Sequence, residues 1–209
     1  MNRYKTILKE AEAEQIIDRS RFIAHVKPAE SREEAESYIA DIRSKFKDAT
    51  HNVPAMVLGE KCQIQWGSDD GEPQGTAGAP IVQMLVKEGL TNIAVVVTRY
   101  FGGIKLGTGG LVRAYTGSAK LGIAAAGICT VKDMSVFTVK AGYTYLSKIQ
   151  NVSRSEKFDI REISYEDVVV LKIAVEPEDA PHVKKLLSDI TAGSAETISE
   201  TAELVKMAE

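Results

Sequence analysis

The spacing of apolar residues predicts a first half of the chain that mixes strands and helices. Alternating or β-branched segments indicate strands over residues 4–8, within 13–26, and over 49–59, 61–66 and 91–100. Apolar positions at helical spacing indicate helices after Ser31, over residues 79–88 and over 110–126. Ser31 is followed three residues later by Glu34, which is the pattern of a capping box.

The pattern changes after Gly127. A strand is expected over residues 131–141, a helix over 143–157, two strands over 160–165 and 168–175, a helix over 179–192 and a strand over 196–207. The order βαββαβ is typical of a ferredoxin-like unit. We therefore expect an α+β protein with two domains, residues 1–127 and 128–209.

Glycine is concentrated in the middle of the chain, where 13 of the 16 glycines lie between Gly67 and Gly127. Because glycine is favoured where the backbone needs φ > 0 or a close approach, the cluster indicates unusual backbone. The strand predicted over 91–100, the glycine loop and the helix over 110–126 follow one another. One helix side has residues small enough to lie on a sheet: Ala114, Gly117, Ser118, Leu121, Gly122 and Ala125.

The glycine loop is a candidate anion site, because a helix start reached through such a loop presents free backbone N–H groups. No acidic residue occurs between Glu88 and Asp133, while several basic residues do. The candidate anion or nucleic-acid contacts are Arg99, Gly102, Gly103, Lys105, Gly107, Thr108, Gly109, Gly110, Arg113 and Lys120. The loop matches neither a P-loop nor G-x-G-x-x-G. Tight turns and close helix packing are therefore an alternative explanation for the glycines.

A second candidate is a polar site formed by His51, Asp69, Asp70 and Glu72. The carboxylates could hold Mg²⁺ through water or act as acid and base, and His51 could be a base or a phosphate ligand. Alternatively, the carboxylates cap backbone N–H groups or pair with Arg99 or Arg113.

His25 and His182 have no partner visible in the sequence. Tyr100 and Phe101 border the basic loop, where an aromatic ring could stack on a base.

Composition narrows the class of protein. The net charge is −3, so any nucleic-acid role depends on a local patch rather than on the whole chain. Two cysteines are too few for a zinc set or a disulfide scaffold, and no metal or cofactor is expected. No signal core or membrane-length apolar segment is visible, so we expect a soluble, cytoplasmic protein.

Residues 68–80 (SDDGEPQGTAGAP) and 98–115 (TRYFGGIKLGTGGLVRAY) resemble the signature of the IMPACT family of bacterial YigZ-type proteins and their eukaryotic relatives. Residues 20–26 and 49–52 extend the likeness. The resemblance implies a first domain like the second domain of a small-subunit ribosomal protein, a fold shared with translocation factors and small-molecule kinases, and a ferredoxin-like second domain. It also implies a role linked to translation and to stress.

Three hypotheses about function follow. The first is a non-enzymatic module that binds RNA, the ribosome or a translation factor, with phosphate contacts from Arg99, Lys105, Arg113 and Lys120. The second is a phosphate-ligand enzyme or sensor in which Asp69, Asp70 or His51 does proton or metal work. The third is an interaction scaffold with no anion site.

Overall fold

The structure is a computed structural model that describes residues 2–208. The described chain divides into two compact units, residues 3–130 with 206–208 and residues 131–205 with residue 2. None of the described helices is both long enough and apolar enough to cross a membrane.

The first unit contains most of the predicted strands and three helices. In chain order they are β1 (Asn2–Ile7), β2 (Ala11–Ile17), β3 (Ser20–Pro28), α1 (Arg32–Lys45), β4 (His51–Leu58), β5 (Ile64–Gly67), α2 (Gly78–Lys87), β6 (Ile93–Tyr100) and α3 (Gly107–Ala126). The sheet has the order β2-β3-β6-β4-β5, and all its neighbours are antiparallel. The β-branched β6 is thus central, as its continuous apolar run indicates.

The two faces of this sheet bury different residues because side chains alternate along each strand. Val53, Ala55 and Val57 of β4 join the core that also holds residues of α2 and α3. Met56 and Leu58 join the core beneath α1. The predicted cap of α1 is present, since Ser31 Oγ accepts from the Glu34 N–H at 3.2 Å. Glu34 in turn accepts from the backbone of Glu30, one residue before the position that a capping box uses.

Helix α3 lies directly on the sheet. A Cβ on Gly122 would be 2.9 Å from Val26 Cγ1 and 3.2 Å from Ala24 Cβ, so only glycine fits without a shift. The predicted small-residue face is partly wrong, because Leu121 and Ala125 are exposed. The buried face instead comprises Leu111, Ala114, Tyr115, Ser118, Ala119, Gly122, Ile123 and Ala126.

The second unit has the predicted ferredoxin-like order of elements. These are β7 (Ile128–Ala141), α4 (Tyr143–Ser155), β8 (Asp159–Tyr165), β9 (Val169–Val175), α5 (Ala180–Ile190) and β10 (Glu196–Ala208). Strands β10, β7, β9 and β8 are neighbours in that order. A core shared by the sheet and both helices includes Phe137, Ile149, Leu171, Ile173 and Val183. The α+β fold class is confirmed.

Candidate nucleic-acid interface

The loop of residues 101–106 carries the chain from β6 into α3 and leaves the start of that helix open. Leu106 is the N-cap residue and contributes no side-chain hydrogen bond, and the first turn has no acidic residue. Gly107 has φ +71°, and a Cβ at Gly107 or Gly109 would meet nothing within 4 Å. Since the first N–H groups of a helix have no partner within it, α3 presents unshielded donors with a partial positive charge.

A cleft of about 420 Å³ lies beside this helix start. Its walls combine apolar and charged side chains from four segments of the first unit. They are Thr50, His51, Glu72, Pro73, Arg99, Phe101, Lys105, Leu106, Gly107, Thr108 and Leu111. A volume in this range suits a small organic ligand or a single nucleotide unit.

A hydrogen-bonded group of three buried side chains includes two that line the cleft, Glu72 and Arg99. Glu72 Oε1 accepts from Arg99 Nη1 at 2.6 Å and from the Tyr115 hydroxyl at 2.7 Å. The side chains of Arg99 and Glu72 are only 5% and 4% exposed. Burial, reinforced by the bond to the carboxylate, raises the pKa of Tyr115 far above its usual range. Tyr115 therefore remains a neutral donor, and the charge of Glu72 is balanced by Arg99.

Arg99 is further enclosed by aromatic rings. Its guanidinium carbon lies 5.3 Å from the ring centroid of Phe22 and 5.3 Å from that of Phe101. Its Nη2 donates to Ser20 Oγ at 3.2 Å, while Nε is buried and has no hydrogen-bond partner among residues 2–208. Phe101 is held at the cleft by this cation–π contact and is 46% exposed, so one part of its ring remains open for stacking.

His51 lies at the side of the cleft. Its Nδ1 is 2.7 Å from the carbonyl oxygen of Asp70, and because a carbonyl only accepts, Nδ1 carries the proton. Its Nε2 is 3.8 Å from Glu72 Oε1, too long for a hydrogen bond. In the neutral ring Nε2 is therefore an acceptor.

The three carboxylates of the acidic turn, residues 69–72, bind different partners. Asp69 accepts from the backbone N–H groups of Gly75, Ala77 and Gly78 at 2.7–3.0 Å. Asp70 binds Arg43 at 2.9 Å and the Asn52 N–H at 2.6 Å. Only Glu72 of the three carboxylates lines the cleft. Within residues 2–208, no group of three or more His, Cys, Asp or Glu side chains could hold a metal ion.

The predicted anion contacts do not form one patch either. Arg99, Lys105, Gly107 and Thr108 line the cleft. Arg113 and Gly110 line a different cleft, of about 320 Å³, together with Gln15 and Asp18. Lys120 is bound to Glu88 at 2.5 Å.

The two other candidate glycines of the loop serve the turn itself. Gly102 packs on the backbone of Arg19, where a Cβ would be 2.0 Å from the carbonyl carbon. Gly103 has φ +86°, a backbone conformation that side chains disfavour. Packing and turn geometry therefore account for both glycines.

Comparisons with known proteins identify the family. The model of the Impact N-terminal domain matches residues 18–123, and a domain of unknown function, DUF1949, matches residues 139–194. IMPACT family member YvyE of Bacillus subtilis is 39% identical over 94% of this chain and 90% of its own length. This chain belongs to the IMPACT family.

Other IMPACT family relatives cover different shares of the chain. IMPACT family member YigZ of Escherichia coli is 32% identical over 88% of this chain and 91% of its own length. Protein IMPACT of Mus musculus is 34% identical over 43% of this chain and 29% of its own. A crystal structure of a hypothetical protein has a TM-score of 0.59, 30% identity and coverage of 95% of this chain and 98% of its own.

Sequence reasoning missed several residues that line the cleft of this IMPACT protein or lie beneath it. Tyr115 lies one helical turn beyond Leu111 and was not singled out, although a large polar ring among small residues is a signal of a buried contact. Thr50 and Pro73 lie in segments that carry the family resemblance, but neither residue type by itself indicates a position in a cleft. The two histidines without visible partners both have one, because His25 pairs with Glu12 at 2.9 Å and His182 with Glu156 at 3.1 Å.

Proposed function

We propose that this protein is a translation-linked binding module that takes a phosphate-bearing segment of RNA in the cleft at the start of α3. The observation that supports this most directly is the uncapped first turn of α3 beside Lys105. A helix start with free N–H groups favours phosphate, and a neighbouring lysine adds a full positive charge. The link to translation comes from the family resemblance alone.

The charges of the cleft favour an anion at one end. Lys105 makes no ion pair with any residue from 2 to 208, whereas Glu72 is balanced by Arg99. Phosphate at Lys105 and Gly107 would therefore meet a net positive field. Phe101 offers a surface for a base next to that phosphate, since aromatic stacking is how unpaired RNA bases are commonly held. This combination favours single-stranded RNA.

Charge reversal at Lys105 tests the proposal. We expect Lys105→Glu to weaken binding of a fluorescent single-stranded RNA about tenfold or more, because a charge-assisted contact is worth about 1.5–3 kcal/mol. Lys148, exposed on α4, provides a control with the same charge change. Lys148→Glu should leave the affinity within about twofold, and Arg113→Glu should weaken it less than Lys105→Glu because Arg113 lines the other cleft.

Equal losses of RNA affinity in all three variants would show that only the overall charge matters, and would refute the proposal that RNA binds in the cleft. Absence of RNA binding by the unmodified protein, together with thermal stabilisation by a nucleotide or sugar phosphate, would favour the phosphate-ligand sensor instead. Such a ligand at 100 times its dissociation constant adds about 2.7 kcal/mol to the free energy of unfolding.

A further inference from the structure

The second carboxylate oxygen of Glu72 is available to a ligand. Oε1 accepts from Arg99 and Tyr115, but Oε2 accepts no hydrogen bond from residues 2–208. Oε2 is not fully buried, since it is absent from the group of fully enclosed polar atoms without a partner. Glu72 also lines the cleft. This side chain, only 4% exposed, thus leaves one accessible carboxylate oxygen without a hydrogen bond from the described residues. A buried acceptor of this kind selects a hydrogen-bond donor, because leaving it unpaired is costly.

His51 adds a second acceptor at the same place. Its Nδ1 proton is held by the Asp70 carbonyl, and Nε2 lies 3.8 Å from Glu72 Oε1. The ring and the carboxylate therefore border the same part of the cleft. The ring also packs beside Gly71, where a Cβ would lie at an ordinary contact distance of 3.5 Å from two ring atoms.

The donors and acceptors of the cleft come from different segments of the chain. Lys105 and the N–H groups at Gly107 and Thr108 attract phosphate, whereas Glu72 Oε2 and His51 Nε2 repel it and attract O–H or N–H. A nucleotide of RNA carries both features, because its 2′-hydroxyl is a donor next to the 3′-phosphate. DNA lacks that donor.

We infer that the ribose 2′-hydroxyl donates its one proton into a hydrogen bond shared between Glu72 Oε2 and His51 Nε2, so that the cleft distinguishes RNA from DNA. This inference rests on the proposed function, since it names the chemistry by which the same cleft selects its ligand. Phosphate at Lys105 supplies the affinity, and the two acceptors supply the discrimination between the sugars.

The test uses the unmodified protein and four oligonucleotides of one sequence: RNA, DNA, 2′-O-methyl RNA and 2′-fluoro RNA. We expect RNA to bind about tenfold or more tightly than each of the other three, because each lacks the O–H donor. The 2′-fluoro strand is the decisive control, since it keeps the sugar shape of RNA without the donor. His51→Ala should reduce the ratio of RNA affinity to DNA affinity, because it removes one of the two acceptors that only RNA uses.

The outcomes separate the two proposals. If all four strands bind alike, or if the 2′-fluoro strand binds as tightly as RNA, the 2′-hydroxyl is not read and the inference is overturned while the cleft remains a nucleic-acid site. If no strand binds, the proposed function fails and the inference fails with it.

Discussion

Asp69 shows how a single carboxylate can hold a turn. It accepts from three backbone N–H groups, those of Gly75, Ala77 and Gly78, and so ties the turn after β5 to the start of α2. Burial acts to raise the pKa of Asp69, but the hydrogen bonds from Gly75, Gly78 and Ala77 outweigh it and hold that pKa below its usual value of 3.8. The ionised form is therefore favoured by folding.

The stability that Asp69 contributes should depend on pH. Because its folded pKa is lowered, the contribution is complete above the unfolded value of 3.8 and is lost as pH falls through the folded pKa. We expect Asp69→Asn to lower the free energy of unfolding at pH 7, with a difference from the unmodified protein that shrinks below about pH 4. Urea unfolding at several pH values measures this, and a difference that does not change with pH would contradict it.

The candidate site was only partly predictable from residue type. The sequence indicates Lys105, Gly107 and Thr108 because they lie in a basic, glycine-rich loop before a predicted helix. It indicates His51 and Glu72 for a different reason, as a possible base and as part of an acidic turn. The alternative that the acidic turn pairs with Arg99 is confirmed for Glu72, but the sequence could not show which carboxylate Arg99 binds or that Lys120 meets Glu88. Each of these ion pairs joins a basic residue of the segment 89–132 to a glutamate outside that segment. The lack of acidic residues within the segment therefore does not show which of its basic side chains are unpaired.

The packing of α3 on the sheet determines where its first turn lies. At Gly122 the helix approaches Val26 and Ala24 so closely that a Cβ would be 2.9 Å from Val26 Cγ1. A Cβ added to Gly109, in the first turn, would instead meet no other described atom within 4 Å. The same residue type therefore serves packing at one place and an open surface at the other.

Alanine at these two glycines should have opposite effects. We expect Gly122→Ala to destabilise the protein by about 1–3 kcal/mol through overpacking, partly offset by better helix propensity. Gly109→Ala should instead stabilise it by about 0.5–1 kcal/mol, because alanine restricts the unfolded chain without a clash. Chemical denaturation compares the two, and equal effects would contradict the packing difference.

The order of elements was predictable because apolar periodicity reports which face is buried. Strands β6 to β10 and helices α2 to α5 all lie within a few residues of their predicted positions. The predicted buried face of α3 failed at Leu121 and Ala125, because the sheet covers the side that contains Tyr115 and Ile123. Small size marks residues that can pack closely, but only the tertiary contacts decide which of them do so.

The molecule as a whole is mildly acidic, with a net charge of −3, and its two compact units have separate cores. The cleft lies entirely within the first unit. Association driven by the overall charge is therefore not expected, and binding should depend on the local field at Lys105 and the start of α3. The family match covers this unit from residue 18 to 123.

The most direct test is to follow backbone amide signals by NMR while a short single-stranded RNA is added. We predict saturable shifts at Gly107, Thr108 and Gly109, whose N–H groups would receive the phosphate, with little change at Tyr143 and Tyr165 of the second unit. Shifts confined to residues 131–205, or no shift at the start of α3 under saturating RNA, would contradict the account.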